Sequence, residues 1–263
     1  MSRRKLLNMI EQSETGLPDN KQFTHDVMSC VERSNPRHKG SKWYKPSSLN
    51  CMRNMYFTRI GMDQDPQSED YQSIGMADTG TKRHESIQQV LMNMTDMGYD
   101  WKYISVPDYL AMKQKDGKCK GIQIKGVHGL ETALFDSTLL TSFRCDGIVQ
   151  RLSSGEYYLF EFKNVISFKY DKINSVLDQH KKQVTCYCTS LDLDKALVLY
   201  ENRDVCMLDC PEVLKITQSD KNKMIDYLLV CESYVEKLKA PIKTSNQNYC
   251  RWCPYKTACR KEG

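Results

Sequence analysis

Three cysteines close to the C-terminus have the spacing that most directly predicts chemistry. Cys250, Cys253 and Cys259 form the pattern C-x2-C-x5-C. Thiolates spaced in this way can bind one metal centre from a single turn and the loop that follows, but a tetrahedral or cubane site needs a fourth ligand. We expect Cys51 to supply it, and the centre would then join the two ends of the chain.

The remaining cysteines are weaker candidates. Cys206 with Cys210 and Cys186 with Cys188 are rival pairs by spacing, but cysteine often serves as a small core residue. Cys30 and Cys210 are the next candidates for the fourth ligand after Cys51. The eight cysteines without a convincing ligand pattern are Cys30, Cys119, Cys145, Cys186, Cys188, Cys206, Cys210 and Cys231.

A second group of chemically capable residues lies in the middle of the chain. The segment 158–163 reads Tyr-Leu-Phe-Glu-Phe-Lys and is predicted to be a strand, in which Glu161 and Lys163 share one face. A carboxylate and an ammonium flanked by buried aromatic rings are costly as a core feature alone. The preceding strand can bring Asp146 beside Glu161, and two such carboxylates suit Mg²⁺ or Mn²⁺. A surface ion pair on an edge strand is the alternative.

The elements that must position these residues follow from hydrophobic periodicity and turn residues. Two strands, 141–152 and 156–166, are predicted to form a hairpin through Ser153-Ser154-Gly155. A short helix should follow Pro46 and carry Cys51. The other predicted elements are helices at 76–97, 172–189 and 219–238, and strands at 101–106, 195–201 and 205–208.

Two of these helices add polar residues at suggestive positions. His84 follows Gly80 by four residues on the first long helix, although a single helical histidine is usually structural. Gln183 and Tyr187 are also four residues apart, so they share a face of the helix after Lys163. Neither pair is diagnostic by itself.

The whole series, in this order and at these spacings, resembles the RecB-like nucleases that carry an iron–sulfur cluster, within the PD-(D/E)XK superfamily. That group includes the small CRISPR-associated nuclease, the nuclease domain of the AddB recombination subunit and related phage exonucleases. The resemblance covers about residues 46–260. Asp146 follows Cys145 here, where the family pattern has proline. The residues that carry the resemblance are Cys51, His84, Asp146, Glu161, Lys163, Gln183, Tyr187, Cys250, Cys253 and Cys259.

The resemblance implies a role for each of these residues. A catalytic Mg²⁺ or Mn²⁺ would be held by His84, Asp146, Glu161 and the carbonyl of Phe162, and Lys163 would orient or help deprotonate the attacking water. Gln183 and Tyr187 would position the DNA and the water near the scissile phosphate. Four cysteines would hold a [4Fe–4S] cluster: Cys51, Cys250, Cys253 and Cys259.

The resemblance also implies an α/β fold with a restriction-endonuclease-like core. This core would be a central mixed sheet flanked by helices, with the chain ends joined at the iron–sulfur cluster. We expect a nuclease domain at 46–263 and an N-terminal extension at 1–45, with a short amphipathic helix followed by loops.

Composition limits the class of protein. The chain has 263 residues, 40% of them hydrophobic and 27% charged, which is typical of a soluble globular protein with a substantial core. No apolar run is long enough to span a bilayer, and no apolar segment follows the first basic residues. These features predict a cytoplasmic protein, in which twelve cysteines favour metal binding over disulfides. Basic residues before Cys51 and around the C-terminal cysteines suit a polyanionic partner, although they would also suit a solvated surface.

The leading expectation is a metal-dependent DNA exonuclease that prefers single-stranded ends or tails, in phage or bacterial replication, recombination or repair. An alternative is a non-catalytic nucleic-acid-binding module in which Zn²⁺ or a cluster occupies the same cysteines. A third possibility is a subunit of a larger machine, such as a CRISPR-adaptation or end-processing complex. The sequence has no G-x4-G-K-[ST] motif, so a helicase would be a separate partner protein.

Overall fold

A computed structural model describes residues 18–34, 41–65, 70–128, 131–251 and 253–262 of the chain. It has an α/β architecture with a mixed central sheet flanked by helices, which confirms the expected fold class at this level. No helix within these described segments combines the length and apolar character needed to cross a membrane.

The central sheet contains six strands. Its order is β1 (Trp101–Ile104), β5 (Gly147–Arg151), β6 (Tyr157–Val165), β7 (Lys195–Asn202) and β8 (Met207–Asp209), and β9 (Val213–Lys215) also pairs with β7. β6 and β7 are parallel, while the other pairs are antiparallel. The parallel pair requires a crossover connection, which is helical here.

A smaller antiparallel sheet lies in the chain between β1 and β5 of the central sheet. It contains β2 (Ile122–His128), β3 (Glu131–Asp136) and β4 (Thr141–Cys145). The predicted strand 141–152 is therefore two strands in two different sheets, separated at Asp146, and this part of the prediction was wrong.

The break between these strands depends on Gly147. This residue has φ +155°, and a Cβ added to it would collide with the ring of Tyr103 on β1. A residue without a side chain is therefore needed where the chain enters the central sheet.

Helices cover both faces of the central sheet. The two longest helices that pack on it are α3 (Tyr71–Asn93) and α6 (Asp178–Leu191). Ile87 of α3 packs on Phe160 and Phe162 on one face, while α6 packs on the other face with α4 (Val106–Lys115). The remaining helices are α1 (Asp19–Ser34), α2 (Met52–Arg59), α5 (Ser167–Tyr170), α7 (Gln218–Glu236), α8 (Gln247–Arg251) and α9 (Lys256–Lys261), with a short 3-10 helix at Pro46–Ser48.

Local sequence accounts for several helix boundaries. Ser105 caps α4 by accepting a hydrogen bond from the backbone N–H of Asp108 at 3.2 Å. Thr217 and Asp220 form a capping box at the start of α7. The segment 107–128 contributes most of α4 and all of β2.

The described residues fall into two compact units. The smaller contains α1 and the first part of α3, to residue 79, where Glu32 accepts a hydrogen bond from the backbone N–H of Tyr71. The larger contains residues 41–65 and all described residues from 80 onward. Tyr44 is fully buried in this larger unit, so residues 41–45, which the sequence analysis assigned to the extension, pack with the sheets. The rest of that extension lies outside the described residues, apart from Pro18 to Ser34.

We expect Gly147→Ala to lower the free energy of unfolding by about 2 kcal/mol or more, because the added methyl group must displace Tyr103. Gly80→Ala is the matched control: Gly80 lies on α3 with open space around it, so the same change should be neutral or slightly stabilising. Chemical denaturation of both variants measures the difference. Equal stabilities would contradict this account of the strand break.

Candidate active site

Asp146 and Glu161 lie beside each other where β5 pairs with β6. Gly147 is opposite Phe160 in the antiparallel register, so the next residues outward, Asp146 and Glu161, are neighbours. The backbone N–H of Phe162 donates a 2.7 Å hydrogen bond to Asp146 Oδ2, which holds this carboxylate against β6. Both carboxylates are buried, with only 5% and 3% of their surfaces exposed.

The two oxygens of Glu161 have different surroundings. Oε1 lies 2.6 Å from the ammonium of Lys163 and accepts a 2.9 Å hydrogen bond from Gln183 Nε2 of α6. Oε2 is buried and has no hydrogen-bond partner among the residues that the structure describes. A buried carboxylate oxygen without a donor is energetically costly, and a bound cation would relieve that cost.

Burial and the neighbouring charges change the pKa values of Glu161 and Lys163. Burial raises the pKa of Glu161 to about 7; Lys163 opposes the rise and Asp146 adds to it. Burial by itself would lower the pKa of Lys163, but the Glu161 carboxylate outweighs it and the pKa is raised. Lys163 is therefore an ammonium ion at neutral pH and supplies a fixed positive charge.

His84 approaches the carboxylates from α3. Its Nδ1 atom lies 3.2 Å from Asp146 Oδ1, and its ring meets the Phe162 ring edge to face at 4.9 Å. Burial lowers the pKa of His84, but the Asp146 carboxylate more than compensates, so the pKa is raised overall. The structure thus brings His84, Asp146, Glu161 and Lys163 together.

Two further side chains hold α3 against this site. Gln88, one turn after His84, is fully buried and donates a hydrogen bond from Nε2 to the backbone oxygen of Asp146. Arg83 donates to both carboxylate oxygens of Glu201 at 2.8 and 2.9 Å. Glu201 is 1% exposed and also accepts a 2.9 Å hydrogen bond from Asn164. These contacts fix the helix on both sides of His84.

Glu131 is a residue of the site that the sequence analysis missed. One nitrogen of His84 and one carboxylate oxygen each of Glu131 and Asp146 all lie within 4.8 Å of one another. The register of β3 with β4 explains this proximity, because Thr132 is opposite Cys145 and the next residues outward are Glu131 and Asp146. Glu131 also lies 3.4 Å from Arg144.

Gln183 and Tyr187 lie at different distances from Glu161. Gln183 reaches Glu161 directly, whereas Tyr187 lies behind it, with its hydroxyl accepting a 2.6 Å hydrogen bond from Gln183. Tyr187 is 3% exposed and its ring stacks on Phe143 at 4.8 Å. In this structure Tyr187 contacts Gln183 and Phe143, and its implied role in positioning the DNA and the water stays a prediction.

The four candidate cluster cysteines lie where α2 packs against the C-terminal segment. Cys51 precedes α2, Cys250 is on α8, and Cys259 is on α9. Cys253 and Cys259 belong to the apolar cluster formed with Tyr56 of α2. Burial raises the pKa of the Cys253 thiol, and its neighbours Cys51 and Cys259 act in the same direction.

Two side chains of α2 and one backbone N–H lie near the sulfur atoms of Cys253 and Cys259. Asn54 Nδ2 and the backbone N–H of Tyr255 each lie 3.5 Å from Cys253 Sγ. Arg53 Nη1 lies 3.7 Å from Cys259 Sγ. N–H donors and a guanidinium stabilise thiolates over thiols, so this donor set suits a thiolate-bound metal centre. Neither α2 donor was predicted from the sequence.

Comparison of the chain with known proteins found matches among solved structures. No family model matches the chain, and no curated protein matches it. A solved structure titled "Crystal structure of SSO0001" aligns with a TM-score of 0.47 and 13% sequence identity, over 92% of this chain and 98% of that one.

The missed residues differ in the sequence signal that could have found them. Glu131 is the acidic residue immediately before an alternating apolar strand, so pairing that strand with 141–145 would have placed it beside Asp146. Gln88 is four residues after His84, on the same helical face. Arg53 and Asn54 carry no such signal, because their partners lie about 200 residues away in the chain.

We expect Glu161 to make the free energy of unfolding of the metal-free protein fall, relative to that of Glu161→Gln, as the pH rises from 4.5 to 7. The folded protein retains a proton on Glu161 that the unfolded chain releases near pH 4.5, so raising the pH favours the unfolded state by on the order of 3 kcal/mol. Glu161→Gln should remove this pH dependence. Denaturation in EDTA at pH 5 and pH 8 tests it, and the same slope in both proteins would contradict the assignment.

Proposed function

We propose that this protein is a metal-dependent deoxyribonuclease of the RecB-like group with a PD-(D/E)XK core, acting as an exonuclease on single-stranded DNA ends or tails. One observation carries the proposal. Asp146, Glu161 and Lys163 meet His84 in one buried site, and a buried oxygen of Glu161 has no donor among the described residues.

The side chains at this site fit a hard divalent cation. Mg²⁺ or Mn²⁺ would be held by His84, Asp146, Glu161 and the carbonyl of Phe162, with Glu131 as a further ligand. Bound there, the cation would lower the pKa of a coordinated water and offset the negative charge of the phosphate.

Residues of the chain supply the remaining parts of the mechanism. Lys163 is held as an ammonium ion beside Glu161, so it stabilises developing negative charge rather than accepting a proton. Gln183 fixes Glu161 Oε1, and Oε2, which has no donor among the described residues, would be available to hold the cation. Tyr187 fixes Gln183 in turn. These contacts hold the Glu161 carboxylate and the Lys163 ammonium in position before DNA binds.

The cysteine set fits a [4Fe–4S] cluster held by Cys51, Cys250, Cys253 and Cys259. Its role would be structural, since it would join α2 to the C-terminal segment. The donors from Arg53 and Asn54 support bound thiolates there. The proposed partner is DNA. A helicase or another recombination protein in the host cytoplasm is a second proposed partner.

The nuclease assignment predicts a sharp loss of cleavage in three variants. Asp146→Asn, Glu161→Gln and Lys163→Ala should each lower the cleavage rate by about 100-fold or more, because each removes a cation ligand or the fixed charge. The assay uses end-labelled single-stranded, double-stranded and circular DNA with anaerobically purified protein and Mg²⁺ or Mn²⁺. Resistance of circular DNA would identify an exonuclease.

Glu85→Gln is the matched control for these variants, since Glu85 is an exposed carboxylate next to His84 on the same helix. It should cleave like the wild type. Glu131→Gln should weaken metal binding in titration calorimetry and reduce cleavage less than Glu161→Gln. Near-normal cleavage by Glu161→Gln would contradict the assignment of this protein as a nuclease.

Loss of a cluster cysteine should bleach and destabilise the protein. Cys51 and Cys250 are about 200 residues apart, so joining them removes denatured-state freedom on the order of 5 kcal/mol, by analogy with a disulfide. Replacing any of the four by Ser should remove iron and sulfide and lower the melting temperature. Cys30→Ser, at an exposed position, is the control. A colourless wild type that contains zinc would instead favour the non-catalytic zinc module.

A further inference from the structure

Four side chains on the larger unit form a row in which two neighbouring aromatic rings lie between two cations, here called the ladder: Arg59, Trp43, Phe135 and Lys125. The guanidinium carbon of Arg59 lies 5.2 Å from the centre of the Trp43 ring. The centres of the Trp43 and Phe135 rings are 4.7 Å apart, and Lys125 Nζ lies 5.3 Å from the Phe135 ring. The segment before α2 contributes Trp43, and the small sheet contributes Phe135 and Lys125.

The ladder adjoins the candidate active site through β3. Residues alternate between buried and half-exposed along this strand, and Glu131, Ala133 and Phe135 share the half-exposed face. Four residues along a strand cover about 13 Å, so Phe135 lies that far from the cation site at Glu131. Arg144 lies between them, since it is opposite Ala133 on β4 and 56% of its side chain is exposed.

The charges along this face favour an anionic occupant. Lys125 contacts the neutral side chain of Gln123 at 2.7 Å, so that contact leaves its charge uncompensated. Lys42, beside Trp43, is exposed and lies against Gly61. Arg59 is paired with Glu232 at 2.8 Å and Arg144 with Glu131, so the acidic groups here are fewer than the basic ones.

The exposure of the rings favours an occupant that also stacks. Trp43 is 38% exposed, although a tryptophan that served only to fill the core would be buried. Every nucleobase has a flat face that can stack on an aromatic ring, and every nucleotide carries a phosphate that a lysine or arginine can bind. A duplex keeps its bases stacked on one another and would use only the cations.

We infer that the ladder binds single-stranded DNA by stacking bases on Trp43 and Phe135 and leads the strand toward the active site. That the DNA strand runs toward the active site rests on the proposed function, whereas the binding of DNA to the ladder does not. Lys125 and Arg144 then contact phosphates, and Glu131 marks the point where the strand meets the cation site.

The test compares two oligonucleotides of equal length and charge, oligo-dT and its abasic counterpart, by fluorescence anisotropy in EDTA. The wild type should bind oligo-dT more tightly. Trp43→Ala and Phe135→Ala should each weaken oligo-dT binding about ten-fold and change abasic binding little, because they remove stacking and leave the charges in place. Trp43→Phe, which keeps a flat ring, should restore most of the affinity.

Tyr99→Ala is the control, since Tyr99 is an exposed aromatic residue outside the ladder, and it should bind like the wild type. Circular dichroism establishes that each variant is folded. Unchanged oligo-dT affinity in folded Trp43→Ala and Phe135→Ala would overturn the inference, as would equal losses on both oligonucleotides. Ladder-dependent binding by a wild type that cleaves no DNA would support the binding and overturn the proposed function, so the two failures are distinguishable.

Discussion

Two buried carboxylates that lie side by side are the constraint on which the rest of this structure depends. Asp146 and Glu161 repel each other, and burial removes the water that would screen them. Each carboxylate therefore needs compensation from the protein. A backbone N–H and His84 compensate Asp146, while Lys163 and Gln183 compensate Glu161. Within the part of the chain that the structure describes, one oxygen of Glu161 remains without a donor, and a bound cation would relieve that cost.

Two sheets and two helices position the groups that compensate the Asp146 and Glu161 carboxylates. The chain leaves the small sheet and enters the central sheet at Asp146, so this carboxylate lies at the point that both sheets share. α3 approaches one face of the central sheet with His84 and Gln88, and α6 approaches the other with Gln183. Because the residues of the candidate site come from separate elements, small shifts of either helix would alter their geometry.

The C-terminal segment adds a second long-range link. Arg53 is 5% exposed and donates to the backbone oxygen of Pro241 at 2.6 Å as well as approaching Cys259. Tyr44 contacts Glu232 of α7, and the same carboxylate binds Arg59. These contacts hold the region around α2 against the last part of the chain through polar atoms, independently of any metal. A cluster at the cysteines would strengthen an association that the side chains already make.

The sequence alone determined the strand with Glu161 and Lys163 on one face and the long helices, because these follow from period-2 and period-3.6 patterns and from local turn residues. The grouping of His84, Asp146 and Gln183 was expected only from the resemblance to a known family, not from any local pattern. The sequence did not determine the break at Asp146, since the run 141–152 is continuously compatible with a strand. Glu131, Gln88 and the donors around the cysteines also needed the tertiary structure. Each acts on a partner that is distant in the chain, and such proximity depends on register and packing, which no local pattern encodes.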